Sequence, residues 1–186
     1  MRKFLSFIFE LTKLAVICAA IVIPIRYFLI QPFYVQGASM EPTFHTHEYL
    51  IVDEISYRFQ EPERGDVTVF RYPRNPQEYF IKRVIGMPGE TVEIKDGKVY
   101  IYNDSHPDGV VLQEDYLAPH TETHGLAKGK VELEDNEYFV LGDNRNSSKD
   151  SRNFGPVKES FIVGQVLLRG WPFHKAGFFE EPEYRI

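Results

Sequence analysis

The chain has 186 residues, a formal net charge of −6, 26% charged residues and a single cysteine, Cys18. A negative chain lacks the clustered Lys and Arg that nucleic-acid phosphates require, so nucleic acid is not expected as a partner. One cysteine excludes an intrachain disulfide and a cysteine metal site, and the length beyond the N-terminal segment suits one domain with a sizeable core.

An apolar segment opens the chain. Residues 14–25, between Lys13 and Arg26, fall short of the about 20 residues that cross a bilayer, but residues 4–30 are long enough if helical. A cleaved signal peptide and a buried core helix are the alternatives. We predict a single membrane-spanning anchor within residues 1–30. Arg2 and Lys3 would keep its N-terminus in the cytoplasm and place residues 31–186 outside.

Short strands dominate the chain after the anchor. Apolar, aromatic and β-branched segments are separated by many of the twelve prolines and thirteen glycines. Asp96-Gly97 lies between two such segments and predicts a two-residue hairpin turn with positive φ at both positions. No long helical period follows the anchor. The pattern predicts an all-β domain with strands at residues 49–52, 66–72, 79–85, 91–95, 98–102, 137–141 and 161–168.

Residues 103–130 differ from these strands. They hold two prolines, three glycines and little periodicity, so we interpret them as an insertion loop or small subdomain with one short hairpin. His120 and His124 have the four-residue spacing of helical metal ligands, but nothing around them is helical and no third ligand is evident. We therefore expect solvated histidines, no bound metal and no cofactor.

A serine lies in residues 36–44, Gln-Gly-Ala-Ser-Met-Glu-Pro-Thr-Phe, just beyond the apolar segment. Gly37 gives the backbone freedom before Ser39, and Pro42 fixes the chain after it. A serine in this setting is ordinarily a turn residue. To act as a nucleophile it needs a base that takes the hydroxyl proton.

Lys82 is the candidate base, because no histidine of the chain has a suggestive context. In the strand at residues 79–85, Phe80, Lys82 and Val84 share one face, and Arg83 points the opposite way. A lysine on such a face is either a desolvated base with a lowered pKa or a charge that protects a sheet edge from aggregation. We expect Arg83 to stabilise the fold through ion pairs.

A third polar stretch, residues 142–152, follows the strand at 137–141. By itself it is typical of a polar loop or a calcium loop. Its arginines argue against calcium, because they would repel the ion. We expect a lattice of acids and arginines that locks a loop beside a site, with one serine orienting the lysine amine. The acids and arginines of this stretch are Asp143, Arg145, Asp150 and Arg152.

Together these stretches resemble the type I signal peptidases, the membrane-bound serine proteases that remove signal peptides from exported proteins. The resemblance covers nearly the whole chain. It includes the N-terminal anchor, a Gly-x-Ser-Met-x-Pro-Thr box at residues 37–43 and a Lys-Arg-Val-Ile-Gly-x-Pro-Gly-Glu box at residues 82–90. The third box, at residues 142–152, reads Gly-Asp-Asn-Arg-x-x-Ser-x-Asp-Ser-Arg.

The resemblance implies a Ser–Lys dyad, with Ser39 as nucleophile and Lys82 as general base. Ser148 falls on the family serine that hydrogen-bonds the lysine amine. The backbone N–H of the nucleophile meets the oxyanion, and some members add a hydroxyl two residues earlier. That position is Gly37 here, so the N–H of Ser39 must do this work with a backbone or water donor. The residues implied to hold the geometry of the site are Asp143, Arg145, Asp150 and Arg152.

The resemblance also implies a fold of coiled antiparallel sheets, with an apolar patch near the membrane that Phe33 and Tyr34 suit. Family members cleave after Ala-x-Ala-like sites, and the extended substrate pairs with strands beside the site, here residues 33–36 and 79–81. The implied partners are signal peptides and the lipid bilayer, at the bacterial plasma membrane or the mitochondrial inner membrane, with the bacterial one favoured. The side chains placed to line the substrate site are Val35, Gln36, Met40, Phe44, Phe80 and Ile81, whose alternative is ordinary core.

Three other functions compete with this interpretation. A signal-peptide-binding relative with a decayed dyad is disfavoured because Ser39 and Lys82 are both present. A self-cleaving Ser–Lys protease of the repressor type would be soluble and would carry a DNA-binding or regulatory segment. A membrane-anchored β module for adhesion would not need a lysine in an apolar strand.

Overall fold

The structure is a computed structural model that describes residues 2–28, 30–125, 129–179, 182 and 184. Parts of three predicted segments lie outside these described residues: 1 and 29 of the anchor, 126–128 of the insertion, and 180, 181, 183, 185 and 186 of the β domain. The elements are α1 (Arg2–Phe28), β1 (Ile30–Tyr34), β2 (Tyr49–Asp53), β3 (Val67–Tyr72), β4 (Asn75–Gly86), β5 (Thr91–Lys95), β6 (Lys98–Asn103), β7 (His106–Val111), β8 (Lys130–Glu132), β9 (Glu137–Leu141), α2 (Ser151–Phe154), β10 (Val157–Lys158), β11 (Ile162–Trp171) and β12 (Gly177–Phe178).

The N-terminal helix α1 has 27 residues and leads directly into the first strand. Many of its apolar side chains are exposed, among them Phe4, Phe7 and Phe9. Within the described residues, no helix meets the combined requirement of length and apolarity for a membrane span. The structure therefore does not confirm the predicted spanning anchor.

The large sheet has eight antiparallel strands in the spatial order β1-β2-β11-β3-β4-β9-β10, and β12 pairs with β11. Register shifts interrupt β11 against both of its long neighbours, which bends the strand as β-bulges do. The predicted all-β domain of antiparallel sheets is confirmed. Each predicted strand segment overlaps an observed strand, whereas β1, β7 and β8 add pairing that the strand assignment from the sequence lacked.

The second sheet has four antiparallel strands in the order β7-β6-β5-β8. Its central hairpin turns at Asp96-Gly97, where φ is +51° and +74°, so the predicted turn with two positive φ angles is confirmed. Strand β7 falls within residues 103–130, whereas β8 only begins at Lys130, the last of them. The predicted insertion therefore contributes one outer strand, the first residue of the other and a non-helical loop at residues 112–125.

Strand β4 connects the hydrophobic clusters of the core. Its Ile85 belongs to the cluster beneath the small sheet, its Val84 to the cluster of Phe70 and Tyr138, and its Ile81 packs against the cluster around Leu50. On one side β4 pairs with β3 along most of its length, but on the other side β9 begins to pair only at Arg83. Among the described strands, residues 79–82 therefore keep one free hydrogen-bonding edge.

Candidate active site

Lys82 and Ser39 meet at the free edge of β4. Lys82 Nζ lies 2.8 Å from Ser39 Oγ and 2.7 Å from the carbonyl oxygen of Ile81. The lysine is only 3% exposed, and its Nζ lies 5.4 Å from the centre of the Phe80 ring. The strand alternation of the sequence therefore places this amine in an apolar wall, within hydrogen-bond distance of a hydroxyl 43 residues away in the chain.

Burial lowers the pKa of Lys82 to about 8, although the carboxylates of Asp150 and Asp143 act in the opposite direction. Removing an ammonium group from water disfavours its charged form. Asp143 and Asp150 form their ion pairs with Arg83 and Arg152, and neither forms one with the ammonium of Lys82. The predicted depression of the lysine pKa is confirmed. An amine with this pKa is neutral in a substantial fraction of molecules in mildly alkaline solution, so it can accept a proton from Ser39.

Arg83, on the opposite face of β4, pairs with Asp143. Its Nε and Nη2 donate to the two carboxylate oxygens at 2.9 and 2.6 Å, and its Nη1 donates to the carbonyl of Gly65. Burial is the largest single effect and lowers the pKa of Arg83, but the hydrogen bonds and charge attraction to Asp143, together with Tyr116 and Tyr184, raise it overall. The expected ion pair of Arg83 is confirmed, and it fixes the start of the 142–152 loop to the sheet.

The other charged residues of that loop form two further bridges. Arg145 donates from both Nη atoms to Glu114, and its Nε donates to the carbonyl of Gly142. Asp150 accepts from Arg152 Nε and Nη2 at 2.8 Å and from the backbone N–H of Gly142. Thus the lattice of acids and arginines expected from the sequence forms. One of its partners, Glu114, comes from the predicted insertion, where no sequence signal indicated it.

Ser148 is not hydrogen-bonded to Lys82 in this structure, which corrects the contact expected from the resemblance. Its Oγ is buried and has no hydrogen-bond partner among the described residues. The physical reason is that the lysine amine is directed to Ser39 Oγ and to the carbonyl of Ile81. The hydroxyl of Ser148 lies over Gly142, where an added Cβ would come within 2.1 Å of it.

Two residues of the site did not emerge as candidates from the sequence. Asn144 donates its backbone N–H to the carbonyl of Ser39 and its side-chain Nδ2 to the carbonyl of Ala38. Thr43 donates its hydroxyl to Asp143. Both belong to the boxes quoted above, so their position in a motif was the only available signal. Their contacts join segments about 100 residues apart.

A cleft of about 620 Å³ runs beside the dyad. Residues 33–39 form one wall and residues 78–82 the other, with Ser147 and Lys149 at its rim. Four of the six predicted lining residues lie on these walls: Val35, Gln36, Phe80 and Ile81.

Met40 and Phe44 do not line the cleft, which corrects their predicted placement. They are 1% and 0% exposed and belong to the core cluster beneath the serine loop. Pro42 and the turn around it direct these two apolar side chains inward, where the burial of a large apolar side chain stabilises the fold by about 2–3 kcal/mol.

A serine hydroxyl in contact with a buried amine of lowered pKa is the arrangement of a serine hydrolase that uses lysine as its base. A sequence profile of the family described as signal peptidase, peptidase S26, matches residues 8–171. Signal peptidase I of Bacillus amyloliquefaciens is 39% identical over 173 residues, which cover 89% of this chain and 86% of that protein. Signal peptidase I of Leptolyngbya laminosa is 38% identical over 165 residues, which cover 85% of this chain and 77% of that protein.

Among solved structures, a signal peptidase I from Enterococcus faecalis V583 is 37% identical and matches 57% of this chain and 97% of that one, with a TM-score of 0.47. The family profile and the two relatives establish the family without this structure. The chain belongs to the signal peptidase family, peptidase S26. It is a serine peptidase that removes signal peptides. A binding relative with a decayed dyad and an adhesion module are not favoured.

Proposed function

We propose that this peptidase cleaves signal peptides through a Ser–Lys dyad, with Ser39 as the nucleophile and Lys82 as the general base. The contact of 2.8 Å between Lys82 Nζ and Ser39 Oγ is the observation that carries the proposal. Burial of Lys82 supports it, because a lysine of ordinary pKa would be charged near neutral pH and could not accept a proton.

In the first half of the reaction, Lys82 Nζ takes the proton of Ser39 as Oγ bonds to the scissile carbonyl carbon. The tetrahedral intermediate carries its negative charge on the former carbonyl oxygen. Its C–N bond then breaks, and the ammonium of Lys82 returns the proton to the leaving amine of the mature protein. The signal peptide stays behind as an ester on Ser39.

Water completes the reaction. Lys82 takes a proton from the water that attacks the ester, and its ammonium returns this proton to Ser39 Oγ as the C–Oγ bond of the tetrahedral intermediate breaks. The signal peptide leaves as a carboxylic acid, which ionises in water, and the serine and the neutral lysine are restored. The proposed supporting residues are the charged residues that lock the loop, Asp143, Arg145, Asp150 and Arg152. The bonds of these four to β4, Gly142 and the 112–125 loop support that role.

Cleavage of a precursor bearing an Ala-x-Ala site tests the dyad. Ser39→Ala should reduce kcat/KM by at least about 10³-fold while the protein melts within a few degrees of the parent. Ser147→Ala is the matched control, since Ser147 is an exposed serine at the rim of the same cleft. A Ser39→Ala variant with a substantial fraction of the parent rate would show that another residue is the nucleophile.

We further propose that the substrate lies extended in the cleft and pairs its backbone with both walls. Alternate side chains of the substrate then enter shallow pockets, and cleavage follows an Ala-x-Ala-like sequence. The free edge of residues 79–82 faces a wall formed by residues 33–36, which continue the edge strand β1. The rings of Phe33 and Tyr79 lie 5.6 Å apart across this space. Val35, Gln36, Phe80 and Ile81 are the proposed contacts.

N-methylation of single backbone amides in a precursor peptide tests this pairing. A methyl group removes one donor without changing the side chain. Because alternate N–H groups of an extended chain point to opposite sides, pairing with both walls predicts that KM rises at every position of the paired segment. The peptide with a methyl group beyond the paired segment serves as the control. An unchanged KM at every position, or at every second position, would contradict pairing with both walls.

We also propose that α1 anchors the chain in the plasma membrane as a single pass, with a cytoplasmic N-terminus and an extracytoplasmic β domain. Aromatic side chains exposed on the β domain support contact with the bilayer surface. The ring centroids of Tyr34 and Tyr49 lie 5.0 Å apart, Tyr49 pairs with Trp171, and the ring of Trp171 lies 4.7 Å from that of Phe173. These rings lie on the sheet that α1 enters through β1.

Vesicle flotation of the β domain, released from the full chain by proteolytic removal of α1, tests the membrane contact. Phe173→Ser and Phe178→Ser, at positions 78% and 75% exposed, should weaken the association of the β domain with vesicles after proteolytic removal of α1. Phe59→Ser is the matched control, because Phe59 is 83% exposed but follows Ser56–Arg58, which lies beside the start of β11. Equal flotation of all three variants and the parent would contradict a bilayer-facing aromatic surface.

A further inference from the structure

The segment Gly142–Asn144 presses directly on the serine loop. An added Cβ at Gly142 would lie 2.4 Å from the carbonyl oxygen of Ser39, so this approach requires glycine. Asn144 then makes two bonds to the loop: its backbone N–H donates to the Ser39 carbonyl at 3.1 Å, and its Nδ2 donates to the Ala38 carbonyl at 3.0 Å. One residue thus holds two successive carbonyl groups.

Two donors hold the Ala38 carbonyl, Asn144 Nδ2 and the backbone N–H of Glu41 at 3.2 Å, and their bonds determine where the N–H of Ser39 points. The Ala38 carbonyl and the Ser39 N–H belong to one trans peptide unit, and in such a unit the two groups point in opposite directions. Because Asn144 Nδ2 holds the carbonyl on its own side, the N–H is directed away from Asn144. Among the described residues, the N–H of Ser39 has no acceptor, so it remains available to a substrate.

This N–H has a demanding task if Ser39 is the nucleophile. The negative oxygen of the tetrahedral intermediate needs donors already aimed at its position, since reorientation during the reaction costs free energy. Residue 37 is a glycine in this chain and provides no hydroxyl for the oxyanion. The aim of the Ser39 N–H therefore matters more here than in a site with an additional side-chain donor.

We propose that Asn144 is a positioning residue for the oxyanion: its side-chain amide fixes the Ala38–Ser39 peptide so that the Ser39 N–H faces the developing negative charge. The inference rests on the proposed role of Ser39. The carboxylate of Asp143 supports the same arrangement at the far end of the loop, where it accepts the hydroxyl of Thr43. Asn144 itself contacts neither the nucleophilic Oγ nor Lys82 Nζ.

Two substitutions remove the side-chain donor in different ways. Asn144→Asp keeps the shape of the residue and its backbone N–H but replaces the amide by a carboxylate that repels the Ala38 carbonyl. Asn144→Ala removes the side chain. Asn146→Asp and Asn146→Ala are the matched controls, because Asn146 is an exposed residue of the same loop.

For both Asn144 variants, kcat should fall about 10- to 100-fold, less than or comparable to the loss of a complete oxyanion donor, while KM stays within about twofold. The acid limb of the pH–rate profile should stay where it is in the parent for Asn144→Ala, because no charge changes near Lys82. Asn144→Asp should move this limb to higher pH, because its new carboxylate raises the pKa of Lys82 as Asp143 and Asp150 already do. The Asn146 controls should keep both constants. A merely structural role would instead reduce the concentration of active sites and leave the kcat per active site unchanged.

A peptide aldehyde ending in Ala-x-Ala, compared with the matching alcohol, tests the oxyanion directly. The aldehyde carbon bonds to a serine oxygen and places its own oxygen where the oxyanion forms, whereas the alcohol only occupies the cleft. Asn144→Asp should weaken the aldehyde about 10- to 100-fold and leave the alcohol unchanged. An unchanged aldehyde affinity, or a parallel loss for both ligands, would overturn the role of Asn144.

The proposed function fails in a different way. If the aldehyde does not inhibit the parent, or if Ser39→Ala keeps its activity, Ser39 is not the nucleophile. If the parent and Ser39→Ala behave as proposed but the Asn144 variants keep the parent kcat per active site, only the inference about Asn144 is wrong.

Discussion

Lys82 and Arg83 are neighbours in one strand, but their pKa values shift in opposite directions: that of Lys82 is lowered and that of Arg83 is raised. Both are nearly inaccessible, at 3% and 1% exposed. The carboxylate of Asp143 accepts hydrogen bonds from Arg83 Nε and Nη2, and Arg83 keeps its charge. Lys82 has only a hydroxyl, a carbonyl and an aromatic ring around its amine, and it loses its charge more readily than an ordinary lysine.

The difference shows that burial alone does not determine the charge of a buried cation. A partner of opposite charge at hydrogen-bond distance offsets the loss of hydration, and more distant carboxylates do so only in part. Asp143 illustrates both cases, because it pairs with Arg83 but affects the pKa of Lys82 only through space. One face of β4 therefore stabilises the site, and the other provides a neutral amine.

The largest expected effect comes from removing the amine on the lysine face. Lys82→Met keeps an apolar stem and should reduce kcat/KM by at least about 10³-fold, because no other base is in contact with Ser39 Oγ among the described residues. Cleavage assays at saturating and limiting precursor measure this loss. Lys98→Met, at an exposed lysine of β6, is the control and should keep the parent rate. A Lys82→Met enzyme with more than trace activity would refute the dyad.

The arginine face should respond in stability. Asp143→Asn leaves the buried Arg83 without its charged partner, which should reduce the free energy of unfolding by about 3–5 kcal/mol. Urea unfolding measures the change, and Asp135→Asn, at an exposed aspartate, should shift it by less than about 0.5 kcal/mol. A loss below about 1 kcal/mol would mean that Asp143 is not what keeps the charge of Arg83 in the core.

The cost of burying Lys82 should depend on pH. Its folded pKa of about 8 lies below the unfolded value of about 10.5, so the protonated form is the one that the fold disfavours. Below pH 8 both states bind the proton and the cost is complete, about 3 kcal/mol. Between these pKa values the cost shrinks, and above the unfolded value it is gone. Lys82→Met should therefore be more stable than the parent below pH 8, and the gap should close as pH rises towards 10.5.

Urea unfolding of both proteins from pH 6 to 10.5 checks this prediction. The same series with Lys98→Met, where the lysine is solvated, should show no gap that closes with pH. A Lys82→Met variant clearly less stable than the parent at pH 7 would indicate that the lysine is an ordinary charged structural residue.

The rate of cleavage should follow the same lysine. Only neutral Lys82 accepts the Ser39 proton, so kcat/KM should rise about tenfold per pH unit on the acid side and level off above pH 8. A pH–rate profile with a precursor lacking titratable groups near its cleavage site measures this limb. A limb near the ordinary lysine value of about 10.4 would place the catalytic proton elsewhere.

The smallest effect is expected for Ser148→Ala. Its hydroxyl is buried without a partner among the described residues, so the substitution should leave stability unchanged or slightly increase it. If the hydroxyl orients the amine during the reaction, kcat should fall less than about tenfold. Melting curves and kcat measured together check both statements, and a strongly destabilised variant would show that Ser148 has a structural partner.

Much of the fold followed from local patterns in the sequence. The seven predicted strand segments and the Asp96-Gly97 hairpin depend on side-chain alternation and on the φ angles that turn residues accept, and both are local properties. Strands β8 and β10 were missed, since their pairing depends on neighbours that are distant in sequence.

The sequence by itself determined which residue types lie at which strand positions. It predicted that Lys82 faces an apolar surface and that Arg83 faces away, because adjacent side chains of a strand alternate. It also supplied the three stretches that form the site, at residues 36–44, 79–85 and 142–152. These conclusions needed no knowledge of which segments meet.

The tertiary structure alone decided which groups make contact. It directed the amine of Lys82 to Ser39 and away from Ser148, buried Met40 and Phe44 beneath the loop, and brought Glu114 of the 112–125 loop to Arg145. It also placed Asn144 on two carbonyls of the serine loop. The physical reason is that hydrogen bonds and ion pairs form only when the distance between two groups is correct to within a few tenths of an ångström. For groups on segments that are distant in sequence, only the packing of the whole domain fixes that distance.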